Sequence, residues 1–163
     1  MYEDIKVGLN PYLGCSKNLI EYFAIIGYEE KFLSLCAPNT LDKENNIPLS
    51  IVSDVKSDSF MNKIDLNILI NQVYPEKPSI IKMTKSTKKP METNVVFSYC
   101  FDNMKGEKKI FFSCYALRLY EIYVDKKNIQ YYIPKAFLIY SQYPYFTTFY
   151  NICSILLEFN EKG

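Results

Sequence analysis

Residues 131–146 run Tyr131-Tyr132-Ile133-Pro134-Lys135-Ala136-Phe137-Leu138-Ile139-Tyr140-Ser141-Gln142-Tyr143-Pro144-Tyr145-Phe146, and the fold turns on them. Ile133 to Tyr140 is almost continuously apolar, the pattern of a strand covered on both faces. Pro134 has no N–H to give to a ladder, which assigns it to the strand's start or to a sheet edge. Pro144 stands where a first helical turn would begin, with φ already set and no donor to waste. Beyond it, Phe146, Phe149, Tyr150, Cys153, Leu156 and Leu157 fall at i, i+3, i+4, i+7 spacing, the stripe of a core-facing helix. Ile152, Ile155 and Phe159 widen that stripe, so a second side of the helix is expected to be covered too. The plain reading of all these residues is core packing.

Working back along the chain, Asp125-Lys126-Lys127-Asn128 is a turn. Before it, Asn94 to Asp102 and Lys108 to Tyr123 read as a hairpin. Val95, Phe97, Tyr99 and Phe101 alternate with Val96, Ser98 and Cys100, and Asp102 to Gly106 supplies turn chemistry. The second arm is long enough for a central strand. Arg118 within it is expected to pair with a nearby carboxylate at the strand's edge; its alternative is use in recognition. Thr84 to Thr93, with Lys85, Lys88, Lys89 and Pro90, reads as a solvated connection; its alternative is a contact point for an acidic surface. Ser79 to Met83 is a short apolar piece. Leu66 to Val73 sets Leu66, Ile68 and Ile70 against Asn67 and Asn71, the alternation of a half-buried strand closed by Tyr74-Pro75.

Residues 28–65 are the least patterned. Ile47 to Val55 suits a short strand or an extended loop, and Ser57-Asp58-Ser59 suits the cap of a short helix through Ile64. Leu19 to Ile26 is the first strand, with Leu19, Glu21, Phe23 and Ile25 on one face and Ile20, Tyr22, Ala24 and Ile26 on the other; Gly27 ends it. Residues 1–18 read as an N-terminal arm and residues 19–163 as a single domain. About five strands, mostly antiparallel by their short connections, with a helix after the last, define an α+β fold.

Composition narrows the function. A chain of 163 residues, 48% hydrophobic and 16% aromatic, is long enough to fold as one domain. A net charge of +1 and a single arginine argue against a nucleic-acid reader or an anionic-lipid binder. No apolar run is long enough to span a membrane. Glu3 and Asp4 beside Met1 do not make a secretory signal. Five cysteines (Cys15, Cys36, Cys100, Cys114, Cys153) without a Cys-x-x-Cys pair, and no histidine, exclude the usual zinc sites and suit reduced thiols in the cytoplasm. Histidine-dependent triads are excluded as well, and no phosphate-binding glycine loop or paired-carboxylate motif is present. No catalytic, cofactor-binding or metal-ligating residue is assigned. A carboxylate or lysine enzyme is the least favoured class.

Four blocks in order resemble the upstream (uDENN) module of DENN-domain proteins. They are Leu19 to Gly27, Ile68 to Pro75, the hairpin from Val96 through Gly106 to Glu121, and Pro134-Lys135-Ala136 to Phe146 with its Ser-x-x-Pro-x-Phe helix start. The resemblance implies a longin-like fold, a five-stranded antiparallel sheet with helices packed on it. It implies the N-terminal lobe of a guanine-nucleotide exchange factor for Rab GTPases in vesicle trafficking, with a DENN core downstream, no cofactor, and peripheral membrane association only through partners. Exchange of that kind needs no acid, base or nucleophile. It works by holding the nucleotide-free conformer more tightly than the loaded one. The chain departs from the family's pattern in a longer segment over 28–65 and a shortened one over Glu76 to Lys82, so no GTPase-contacting residue is carried across. The alternative is a longin-type adaptor that scaffolds without exchange.

Overall fold

A computed structural model describes residues 18–44, 46–56, 65–102 and 109–162. The elements in order are β1 (Tyr22–Gly27), α1 (Glu30–Leu33), a 3₁₀ turn at Leu41–Lys43, β2 (Ser50–Lys56), α2 (Leu66–Val73), β3 (Ile81–Lys82), β4 (Thr93–Asp102), β5 (Lys109–Val124), β6 (Gln130–Ser141) and α3 (Phe146–Lys162). All strands pair antiparallel, in the order β2-β1-β6-β5-β4, and the two-residue β3 pairs with the start of β6. The expected α+β fold is present, with six strands rather than about five. The longest ladder is β5–β6, from Ser113↔Ser141 to Val124↔Gln130.

Both faces of the sheet are covered. On one face Tyr22, Ala24 and Ile26 of β1, Phe112, Cys114 and Ala116 of β5, and Ala136, Leu138 and Tyr140 of β6 meet Leu69 and Val73 of α2 and Tyr74 just after it. Tyr140 is the centre of this core. Its ring lies 6.0 Å from Tyr22, 6.0 Å from Phe97 and 5.7 Å from Phe112, and its hydroxyl donates to Gln72 Oε1 at 3.2 Å. On the other face Tyr115, Leu117, Leu119, Phe137 and Ile139 meet Phe149 and Cys153 of α3. The continuous apolar run of β6 is therefore buried on both sides, as its sequence implies. A third cluster of Tyr28, Leu33, Leu41, Ile47, Ile80, Tyr131 and Ile133 closes the end of the sheet where β3 lies.

Several local expectations are corrected. Leu66–Val73 is a helix, not a strand. Asp65 caps it, its Oδ1 accepting from the Asn67 N–H at 2.9 Å. Leu66, Leu69, Ile70 and Val73 also fit i, i+3, i+4, i+7 spacing, and the buried pair is Leu69 and Val73, whereas Leu66 and Ile68 are exposed. The first strand starts at Tyr22, not Leu19, and Ile20, which precedes it, packs on the α3 side with Phe23 and Ile25. Pro134 is neither at the start of β6 nor on an edge strand, for it pairs with Tyr120 inside the sheet. Its carbonyl lies on the Gly27 side. In an antiparallel strand the amide nitrogen of the same residue faces that way too. There β1 reaches only to Ala136 and β3 only to Tyr132, so the missing donor falls in a gap between two neighbours.

At the other end of β6, α3 begins at Phe146, and the Phe149 N–H bonds to the Tyr145 carbonyl at 3.0 Å. Tyr145 is the cap, so Pro144 precedes the helix instead of opening it. The second side of α3 is covered only in part: Ile152 packs on the sheet side, whereas Ile155 is 55% and Phe159 71% exposed. The short strand expected over Ile47 to Val55 is β2. The Ser57–Ile64 helix, the turn beyond Asp102 and nearly all of the N-terminal arm fall outside the described residues.

Candidate protein-binding surfaces

Three separated segments build a cleft of about 520 Å³. They are the loop after α2 (Tyr74 to Ser79), the stretch that enters β4 (Met91 and Thr93) and the middle of β5 (Arg118 and Tyr120). Arg118 and Tyr120 reach the same side because alternate residues of a strand share a face. The partners of Arg118 are not the carboxylate its sequence context suggested. Its Nε donates to Thr93 Oγ1 at 2.9 Å and its Nη1 to the Val73 carbonyl at 3.3 Å, and its guanidinium carbon lies 5.8 Å from the centre of the Tyr74 ring. It thus satisfies a carbonyl at the C-terminus of α2, where a positive charge also complements the helix dipole.

The phenol oxygens of Tyr74 and Tyr28 are buried without a hydrogen-bond partner among the described groups. Burial pushes the Tyr74 pKa well above the tyrosine range, with Arg118 opposing, and pushes Tyr28 up to about 12. Both stay protonated at neutral pH and remain donors. Burial likewise drives the Cys114 thiol up, and Cys153 to about 12, which removes both as thiolate nucleophiles. Cys36, Cys100, Cys114 and Cys153 are free thiols, and among the described residues no three His, Cys, Asp or Glu side chains group as metal ligands do. Cys15 lies outside the described residues. The cleft therefore presents a fixed guanidinium between Pro75 and Pro78, with the Tyr74 phenol oxygen buried beneath it.

The sheet has two edges, and they differ. On β2 the register to β1 slips between Ile25 and Ile26, so Val52 is an extra residue. Asp54 accepts from the Tyr22 hydroxyl at 2.9 Å, and Lys56 stands 3.8 Å from Asp54. A bulge and charges are the usual devices that blunt an edge. On β4 neither is present. Thr93 to Phe101 carries no charge and no proline, and its register to β5 runs without a slip from Thr93↔Arg118 to Asp102↔Lys109. Asn94, Val96, Ser98 and Cys100 are exposed on the side away from α2. The lysine-rich connection is exposed at Lys85, Lys88 and Lys89, and its first turn is held by the Thr87 hydroxyl accepting from the Thr84 N–H at 2.9 Å.

Fold and surfaces together define an α+β domain built on a two-sided antiparallel sheet, with one blunted edge and one that no other described strand covers. No family model, no curated protein and no solved structure matches the chain. No helix among the described residues is long and apolar enough to cross a membrane.

Proposed function

We propose that this chain is a protein-binding lobe of the uDENN type, acting with a downstream DENN lobe as a nucleotide exchange factor for a Rab-family GTPase. One observation carries the reading. The four sequence blocks fall on β1, on α2, on the β4–β5 hairpin and on β6 running into α3, and the strands among them lie side by side as β1-β6-β5-β4. Blocks that are far apart in sequence form one contiguous antiparallel unit with a helix against each face, and this supports the reading. The chemistry of the surfaces agrees, since exchange draws on complementary contacts with one conformer of a partner rather than on proton transfer. In a cytoplasmic setting such a lobe reaches vesicle membranes through its partners.

The test is release of a fluorescent guanine nucleotide from a panel of Rab GTPases, using the full-length protein. Accelerated release from at least one Rab is expected, and no acceleration with any of them overturns the proposal. The open β4 edge favours a second reading, a longin-type adaptor. That reading predicts stable capture of trafficking partners with nucleotide release unchanged.

A further inference from the structure

The open edge of the sheet carries an inference of its own, independent of the exchange reading. A strand at a sheet edge presents a row of unpaired N–H and C=O groups, and a long, neutral, apolar one is a template for another strand. β4 is such a strand: it ends the sheet among the described residues, and over its first nine residues, Thr93 to Phe101, it lacks the bulge and charges of β2 at the opposite edge. We propose that β4 pairs antiparallel with β4 of a second copy of this chain, about a two-fold axis at Val96, joining two sheets into one.

The pattern of residues around Val96 selects a second copy as the occupant. An isologous contact requires a strand complementary to itself. With Val96 opposite the partner's Val96, Asn94 stands opposite the partner's Ser98 and Val95 opposite the partner's Phe97. Small polar groups then face each other on the open side. On the α2 side a β-branched residue meets an aromatic one, among the favourable cross-strand pairs. Glu92 falls opposite the partner's Cys100, so no like charges meet between residues 92 and 100. Register is also faithful to the faces: pairs directly opposite point the same way, so the half-buried Val95 and Phe97 stay on the α2 side in both copies. Val96, 53% exposed on the open side, sits on the axis without being part of either core.

Sedimentation equilibrium of the 163-residue chain over increasing concentration is the first measurement. A reversible shift from the monomer mass to twice that mass is expected; a monomer mass at every concentration overturns the proposal. Two variants then locate the contact, both at an exposed position that leaves the monomer fold intact. Val96→Lys places like charges opposite each other on the axis and is expected to abolish the dimer, while Val52→Lys on β2 leaves it unchanged. Val96→Cys in a Cys100→Ser background is expected to give a single intermolecular disulfide under mild oxidation. A dimer that survives Val96→Lys, or cross-linking as efficient from Val52→Cys as from Val96→Cys, also overturns it.

Discussion

Replacing Phe149 by alanine tests how α3 is attached, and its contrast with Phe159 makes the test sharp. Both are phenylalanines on one helix, and spacing alone gives both a place on the apolar stripe. Phe149 is 0% exposed between α3 and the Tyr115, Leu117, Leu119, Phe137 and Ile139 face, whereas Phe159 is 71% exposed. Truncating a buried phenylalanine costs about 3–5 kcal/mol in transfer and cavity terms. Alanine's better helix propensity returns roughly 0.5 kcal/mol. A net loss of about 3–4 kcal/mol is a large share of the roughly 5–15 kcal/mol that holds a domain together. For a chain of this size it should lower Tm by roughly 6–16 °C, at about 2–4 °C per kcal/mol. Phe159→Ala should stay within about 0.5 kcal/mol of the parent, as exposed substitutions do. Urea and thermal unfolding followed by circular dichroism read both variants. Equal losses, or a loss below about 1 kcal/mol for Phe149→Ala, would refute the placement of α3 on the sheet.

The remaining predictions concern the turns, the cap and the buried phenols. Asp65→Ala should cost about 1 kcal/mol through the lost α2 cap and should lower helical ellipticity, an outcome a strand over Leu66–Val73 would not give. Gly27→Ala should be neutral or stabilising by up to about 1 kcal/mol, since the added Cβ would meet Val52 at 3.6 Å and the Pro134 carbonyl at 3.8 Å, ordinary contact distances. Stability should fall above about pH 9, starting from the thiol range and continuing through the phenol range. The Cys153 thiol and the Tyr28 phenol are both pushed up to about 12 by burial, so the folded state holds protons that the unfolded chain releases between its ordinary pKa values and that limit. A cooperative rise in tyrosinate absorbance should therefore coincide with loss of ellipticity; ionisation of all the tyrosines before the ellipticity falls would contradict the burial of these rings. At the acid end, burial raises the Asp125 carboxyl, but N–H donors from Asn39, Ile129 and Lys127 outweigh it and hold it below the usual range. The turn before β6 should keep its full stability above about pH 4 and lose it as the pH falls further, whereas Asp125→Asn should remove that dependence.

What the sequence disclosed follows from length and period. β4, β5 and β6 are long enough that alternation or continuous apolarity has no helical competitor, and the Asp125–Asn128 turn carries its own chemistry, with Asn128 at φ 63°. The segment over Leu66–Val73 has eight residues and apolar side chains that fit either period, Leu66, Ile68 and Ile70 at period 2 and Leu66, Leu69, Ile70 and Val73 at period 3.6, and the Asp65 cap breaks the tie. On α3 the stripe is wider than the sheet face that receives it, and how far that face extends depends on strand order. The partners of Arg118 were illegible for a similar reason. The Val73 carbonyl it binds is 45 positions away, brought close only because α2 crosses the sheet. The cleft draws on three segments with no shared spacing, and its one sequence signal is a lone arginine together with the Tyr74-Pro75 break. The open edge could be read as a strand, but its place at the end of the sheet belongs to topology.

The strand order has a consequence for how the chain reaches its native form. β6, the last strand to emerge in synthesis, lies between β1 and β5, and the Ser141 hydroxyl donates to the Leu19 carbonyl across 122 positions. Until it arrives, β1–β2 and β4–β5 are two separate ribbons with no edge in common, each too small to stand alone in water. Closing so large a loop is slow relative to local contacts. For that interval the apolar sides that will face Tyr140 and Phe137 are bare, and they are covered only when the keystone strand is laid.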